Sequence, residues 1–301
     1  MTARRAARAS LLATALLAAA PLPAAAAVDV GALWNFADPA ASEQRFRAAL
    51  AGASGDDALV LQTQIARTFS LRREVAQAQT LLRSLEPQLA SAGAEARARH
   101  ALEWGRTHIS AVTRPEERTP EALTAARAAY QRAHAAAREG GLDGLAIDAV
   151  HMMAFVDDDP AGQVEWNGRA LRLVEASTQP AGRAWEASIR HNLGLALHRQ
   201  GRFDEALAQF ERVLPLREQA GNVRGTRIAR WMVAWTLRSL GRIDEALAIQ
   251  SRLEAEWQAE GGADPYVFEE LEHLHRAKGD TAQAAAYAER LAVLRRAAAP
   301  R

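Results

Sequence analysis

An all-α fold, built as a solenoid of antiparallel helix pairs, is predicted by two observations. Alanine dominates the composition while Val, Ile and Thr are sparse, and alanine has the best intrinsic helix propensity. Gly201-Arg202-Phe203-Asp204-Glu205-Ala206-Leu207-Ala208 returns 40 residues later as Gly241-Arg242-Ile243-Asp244-Glu245-Ala246-Leu247-Ala248, identical at seven of eight positions. A period of this size marks a repeat architecture, in which each unit covers its apolar face with its neighbours. The 301 residues contain no cysteine, which removes disulfides, Cys-based zinc sites and Cys nucleophiles and leaves packing to hold the fold.

Taken in order, residues 1–27 carry Arg4, Arg5 and Arg8, an apolar run from Leu11 to Ala20, and small residues ending at Ala25-Ala26-Ala27. This is the order of a secretory signal peptide with cleavage near Ala27. It predicts a periplasmic or secreted protein, with a retained N-terminal anchor as the alternative. The apolar run is shorter than the ~20 residues that span a bilayer, and no later stretch is long enough. Loss of the three arginines takes the formal charge from +1 to −2. So balanced a surface argues against a nucleic-acid partner, which needs concentrated basic charge. Residues 28–56 hold a helix from Pro39 to Gly52 that could cap the array. Six hairpins follow over 57–298, as units 57–90, 94–138, 142–177, 180–220, 223–260 and 264–298.

The residues within these units carry a further pattern. Leu193 and Gly194 lie on a first helix, Gly201 at a turn, and Ala206 and Phe210 on a second helix. The frame extends to Val233, Ala234, Gly241 and Ala246 in the fifth unit, where Gln250 stands in the place of the large apolar residue. In the sixth it reaches Leu271, Gly279, Ala284 and Leu291, with Glu272 for the small residue and Ala288 for the large. Ile65, Ala66, Phe69, Ala78, Leu82 and Leu85 fit the first unit, but Arg73 holds the turn position and must accept an unfavourable backbone there. The second unit reads Trp104, Gly105 and His108, then Ala126, Tyr130 and Ala133, split by a proline-bounded insertion from Thr113 to Pro120. The third turns at Asp157-Asp158-Asp159-Pro160, with more than one register open for Gln163 to Ala176.

This pattern resembles the tetratricopeptide-repeat superfamily over nearly the whole chain after the leader. The resemblance implies a right-handed superhelix whose first helices line a concave face, and binding rather than catalysis. On that face it would present His191, His198 and Arg199 from the fourth unit, Trp231, Trp235 and Arg238 from the fifth, and Tyr266, Glu269, His273 and Arg276 from the sixth. Trp231, Trp235 and Arg238 share one helix face by their spacing. Such a groove could anchor a protein or peptide segment on the tryptophans and take a carboxylate on an arginine. The plainer alternative is that the tryptophans pack against the next hairpin. A small-molecule or peptide-signal sensor is the second function class, and self-association is also open.

No metal or cofactor is predicted. His191 and His198 are two turns apart, about 10 Å, too far to share one ion. Asp157-Asp158-Asp159 lacks the spacing and glycine of a calcium loop and reads as a helix-capping turn. His151-Met152-Met153 reads as core, because adjacent methionines on a helix diverge. Nucleophile-elbow, zinc-protease, phosphate-loop and dinucleotide fingerprints are absent from the sequence, so an enzyme is not expected.

Overall fold

The computed structural model describes residues 28–298, so the expected leader lies outside the described residues. In chain order the α-helices are α1 (Val30–Leu33), α2 (Pro39–Leu50), α3 (Gly55–Leu71), α4 (Val75–Leu89), α5 (Ala94–Arg106), α6 (Pro120–Glu139), α7 (Asp143–Val156) and α8 (Pro160–Ala176). They continue as α9 (Pro180–Arg183), α10 (Glu186–Arg199), α11 (Phe203–Gln219), α12 (Val223–Ser239), α13 (Ile243–Ala259), α14 (Pro265–Ala277) and α15 (Thr281–Ala298), with no strand among the described residues. Each of the six long pairs, from α3/α4 to α14/α15, packs against the next, and first helices also touch across units, α3 with α5, α5 with α7 and α12 with α14. This is an all-α solenoid. At its N-terminal end α2 lies on α3 and buries Phe46 completely.

The starts of the helices are written in the sequence. α2, α6, α8 and α14 begin with proline behind Asp38, Thr119, Asp159 and Asp264, whose side-chain oxygens accept backbone N–H groups of the first turn. Asp159 takes the amides of Ala161 and Gly162, each at 3.0 Å, so the acidic triplet ends in a helix cap. Asp157, two residues earlier, instead accepts from Arg127 and from the Trp166 indole. Met152 and Met153 are buried in the core.

The turns inside the first, fourth, fifth and sixth pairs share one hydrogen-bond scheme. Arg202 N donates to Leu197 O at 3.0 Å and Gly201 N to His198 O at 2.9 Å, and the fifth unit repeats this with Arg242, Leu237, Gly241 and Arg238. This closure requires a left-handed residue, which Gly201 and Gly241 supply with φ of 73° and 75°. Arg73 holds the same place in the first unit with φ of 66°, and Glu74 N still donates to Phe69 O at 2.9 Å. A side chain there costs about 1–2 kcal/mol. The Arg73 side chain reaches the insertion, with Nη1 on Val112 O at 2.6 Å and Nη2 on Glu117 at 2.7 Å.

Packing within a pair depends on a missing side chain facing a large one. A Cβ on Gly194 would stand 2.6 Å from the Phe210 ring, and one on Gly105 would stand 2.5 Å from Tyr130. Tyr130 is fully buried and satisfies its hydroxyl by donating to Ile109 O. In the third unit the place of Phe210 is taken by buried Asn167, whose Oδ1 faces His151 Nδ1 at 3.3 Å. In the fifth it is taken by Gln250, fully buried, with neither amide atom hydrogen-bonded among the described residues.

Candidate partner-binding surface

The spacing of Trp231 and Trp235 places both rings on one side of α12, facing α10 behind and α14 ahead. His198 of α10 stacks on Trp235 with ring centroids 3.4 Å apart and planes 18° from parallel. Its Nε2 lies 3.0 Å from Ser239 Oγ, so the imidazole is fixed on two sides by α12. Trp235 stacks in turn on Trp231 at 5.7 Å, and Trp231 meets the edge of Tyr266 at 6.3 Å. The Trp231 indole N–H donates to Tyr266 O at 3.1 Å. The result is a ladder of four rings across the first helices of three consecutive units. Both tryptophans are half-buried, and Tyr266 at the end is 65% exposed. Aromatic contacts of this kind contribute roughly 0.5–1.5 kcal/mol each beyond the area they cover. The tryptophans therefore do pack against the neighbouring hairpins, while leaving part of each ring at the surface.

The charged residues expected on this face are mostly committed to partners. Arg238 grips Glu270 of α14 through Nε at 2.6 Å and Nη2 at 3.1 Å, and Glu270 is buried. Its charge is met within the protein, which corrects the expectation that it stands ready for a ligand carboxylate. Arg276 pairs with Glu272, and Glu269 with Arg295. Arg199 points back to α8, donating to Gln163 at 3.0 Å. His191 packs edge-on to Phe210, 6.0 Å between rings. His273 is half-buried on α14 and forms no hydrogen bond with the ladder residues. Of the ten expected residues, His198, Trp231, Trp235 and Tyr266 form one surface, and Arg238 borders it.

Burial, reinforced by the nearby Arg238 charge, pushes the His198 imidazole down to about 4. It is neutral at pH 7, which suits a ring sandwiched by stacking. Burial also lowers His191, with Arg217 adding to the effect. Among the described residues no group of three or more His, Asp or Glu could hold a metal, and no helix is long and apolar enough to cross a membrane.

A second concavity, of about 400 Å³, lies in the N-terminal half. Its floor is α3, α5 and α7, which bring Gln64, Arg67, Arg99 and Asp148 together, and its walls are Trp34 and Phe36 at one end and Trp185 at the other. Trp34 and Phe36 stack at 4.6 Å, and the Arg67 guanidinium carbon sits 5.5 Å and 5.4 Å from their centroids. Beneath the floor Arg106 binds both oxygens of Asp148, at 2.6 and 2.7 Å, and Glu103 at 2.6 Å. Burial opposes the Arg106 charge, but Asp148 and Glu103 outweigh it and hold its pKa up. Burial likewise opposes ionisation of Asp148, and Arg106 and Arg67 overcome it. Arg67 is the exception: burial lowers its pKa, Glu103 is 3.7 Å away, and its Nε is buried without a partner. Sequence inspection missed this concavity because no helix contributes more than three of its residues, with no local motif.

Stacked helix pairs, left-handed turns and small-against-large packing define a helical-repeat protein. Residues 185–255 match the tetratricopeptide repeat family. The match falls on the fourth and fifth units, which are tetratricopeptide repeats, and the helix pairs on either side continue their stacking. The fold is similar to that of RapI in its apo form, with TM-score 0.63 and 12% identity over 82% of this chain and 68% of that one. It is also similar to a signal transduction ATPase with numerous domains from Pyrococcus horikoshii that has a tetratricopeptide repeat sensor. There the TM-score is 0.65 and the identity 10%, over 85% of this chain and 39% of the other. Aspartyl phosphate phosphatase F from Bacillus subtilis matches with TM-score 0.52 and 15% identity, over 86% of this chain and 76% of that one. At these identities the likeness is one of fold. No curated protein matches the sequence.

Proposed function

We propose that this chain is an exported scaffold that docks a segment of a partner protein along the concave side of its last three units, acting by binding rather than by catalysis. The observation that carries this reading is the ladder of His198, Trp235, Trp231 and Tyr266, a run of aromatic surface continuous over three units. Aromatic side chains are the commonest anchors of protein interfaces, because they bring large area at little rotamer cost. The repeat family and the sensor module of the Pyrococcus neighbour are consistent with a recognition role. Export rests on the basic, apolar and small-residue order of residues 1–27.

The test is affinity capture from the envelope fraction with the native protein, the Trp231→Ala/Trp235→Ala variant and Tyr266→Ala. Tyr266 is exposed, so its truncation leaves the fold intact and reports on the surface alone. A partner held by the native protein and lost with both variants supports the groove. A partner held equally by all three, each with native helical content, sinks it.

A further inference from the structure

The aromatic ladder leaves the N-terminal concavity without a role, and that cavity has the makings of a second site. Its volume of about 400 Å³ falls in the range of small-molecule pockets. Arg67 lines it with a guanidinium whose Nε is buried without a partner, while Nη1 stands 3.7 Å from Glu103 and the side chain is 23% exposed. The buried Nε–H costs stability until an acceptor meets it. Its aromatic neighbours Trp34 and Phe36 hold the cation by their faces but offer no acceptor.

The charges around the cavity decide what can enter. Arg106 serves Glu103 and Asp148 together, and Arg99 holds Glu95 at 2.8 Å. With Arg67 added, three guanidiniums face three carboxylates. A ligand carrying only a negative charge would leave a surplus carboxylate in this partly desolvated space, and one carrying only a positive charge would repel Arg67. A ligand bearing both preserves the balance. Asp148 and Glu95 line the same cavity and supply acceptors for its positive end. The flat rings of Trp34, Phe36 and Trp185 supply an apolar wall for its body.

We propose that this cavity binds a small zwitterion of the α-amino-acid type with an apolar, flat side chain. Its carboxylate takes the free donors of Arg67, its ammonium faces Asp148 and Glu95, and its side chain lies against the aromatic walls. This site is separate from the ladder and does not depend on it.

The test is isothermal titration of the purified protein at pH 7 with three probes of one body: L-phenylalanine, 3-phenylpropionate and 2-phenylethylamine. L-Phenylalanine is expected to bind, and each singly charged probe to bind at least about tenfold more weakly, the loss expected when one charge-assisted contact is missing. Arg67→Met is expected to lose about tenfold or more in the same titration. Because that variant also disturbs the ion cluster, Phe36→Ala is measured beside it: the ring is 60% exposed and lies outside the ion cluster, so its removal weakens binding while the free protein keeps native helical content. Trp231→Ala/Trp235→Ala is expected to bind L-phenylalanine normally. The proposal is overturned if L-phenylalanine does not bind, if all three probes bind alike, or if Phe36→Ala and Arg67→Met both leave its affinity unchanged.

Discussion

The fourth and fifth units share seven of eight residues at their turns, yet their interiors are filled differently. In the fourth, Gly194 opens a space that the Phe210 ring occupies, and the ring is fully buried. In the fifth, Ala234 closes part of that space and Gln250 occupies the rest, fully buried with both amide atoms unpartnered among the described residues. The same backbone closure therefore tolerates both a good filler and a poor one. In a solenoid each unit is supported mainly by its neighbours, so a weak interior survives when the units on either side are firm. Here the ladder ties the fifth unit to both neighbours: His198 stacks on Trp235, and Arg238 and Trp231 bond to Glu270 and Tyr266.

The comparison breaks most sharply at Phe210. Phe210→Ala should cost about 3–5 kcal/mol, since Gly194 leaves nothing to fill the cavity. Native-state hydrogen exchange should show the loss concentrated in α10 and α11. Gln250→Leu should do the reverse in the fifth unit, stabilising it by about 1–3 kcal/mol by removing buried polar groups without partners. Its readout is a higher urea midpoint and slower exchange in α12 and α13. At the turns the two units should behave alike: Gly201→Ala and Gly241→Ala should each cost about 1–2 kcal/mol, because both need a left-handed residue. A large difference between them in denaturant midpoint would show that the identical turns are not equivalent.

The smallest effect concerns acid, at the junction of the two units. His198 titrates from an ordinary value of 6.5 when unfolded to about 4 when folded. The unfolded chain thus binds more protons between these values, so the stability contributed at this site is complete above pH 6.5 and is lost as pH falls toward 4. Comparing urea midpoints at pH 7.5 and 5, His198→Gln should show a smaller drop than the native protein. An equal drop would assign the acid sensitivity to other buried imidazoles, of which His191 in the same unit is one.

Much of the fold was legible because repeats encode themselves locally. The octapeptide at Gly201 and Gly241, the pairing of Gly105 with Tyr130 and of Gly194 with Phe210, and the anomaly at Arg73 all lie within one hairpin, where sequence distance and spatial distance agree. The short α9 and the position of Asn167 in the third unit were not, since that unit fills its interior with polar groups that bond across helices, Asn167 with His151 among them. The surface was legible in part. Helical spacing put Trp231 and Trp235 on one face, but the bonds from Arg238 to Glu270 and from Arg199 to Gln163 join residues 32 and 36 apart, and only the stacking of units decides them. The N-terminal concavity was the least visible, because Arg67, Arg99 and Asp148 come from three helices and resemble ordinary surface charges on each.

The stacked rings also give the protein an optical property. Trp231 and Trp235 are fixed to one helix, while His198 and Tyr266 ride on the helices at either side. Any change in the pitch of the superhelix alters the distances between indole and imidazole and between indole and phenol. Emission from this pair is therefore a built-in gauge of curvature, readable in solution without a label, once the other five of the seven tryptophans are replaced.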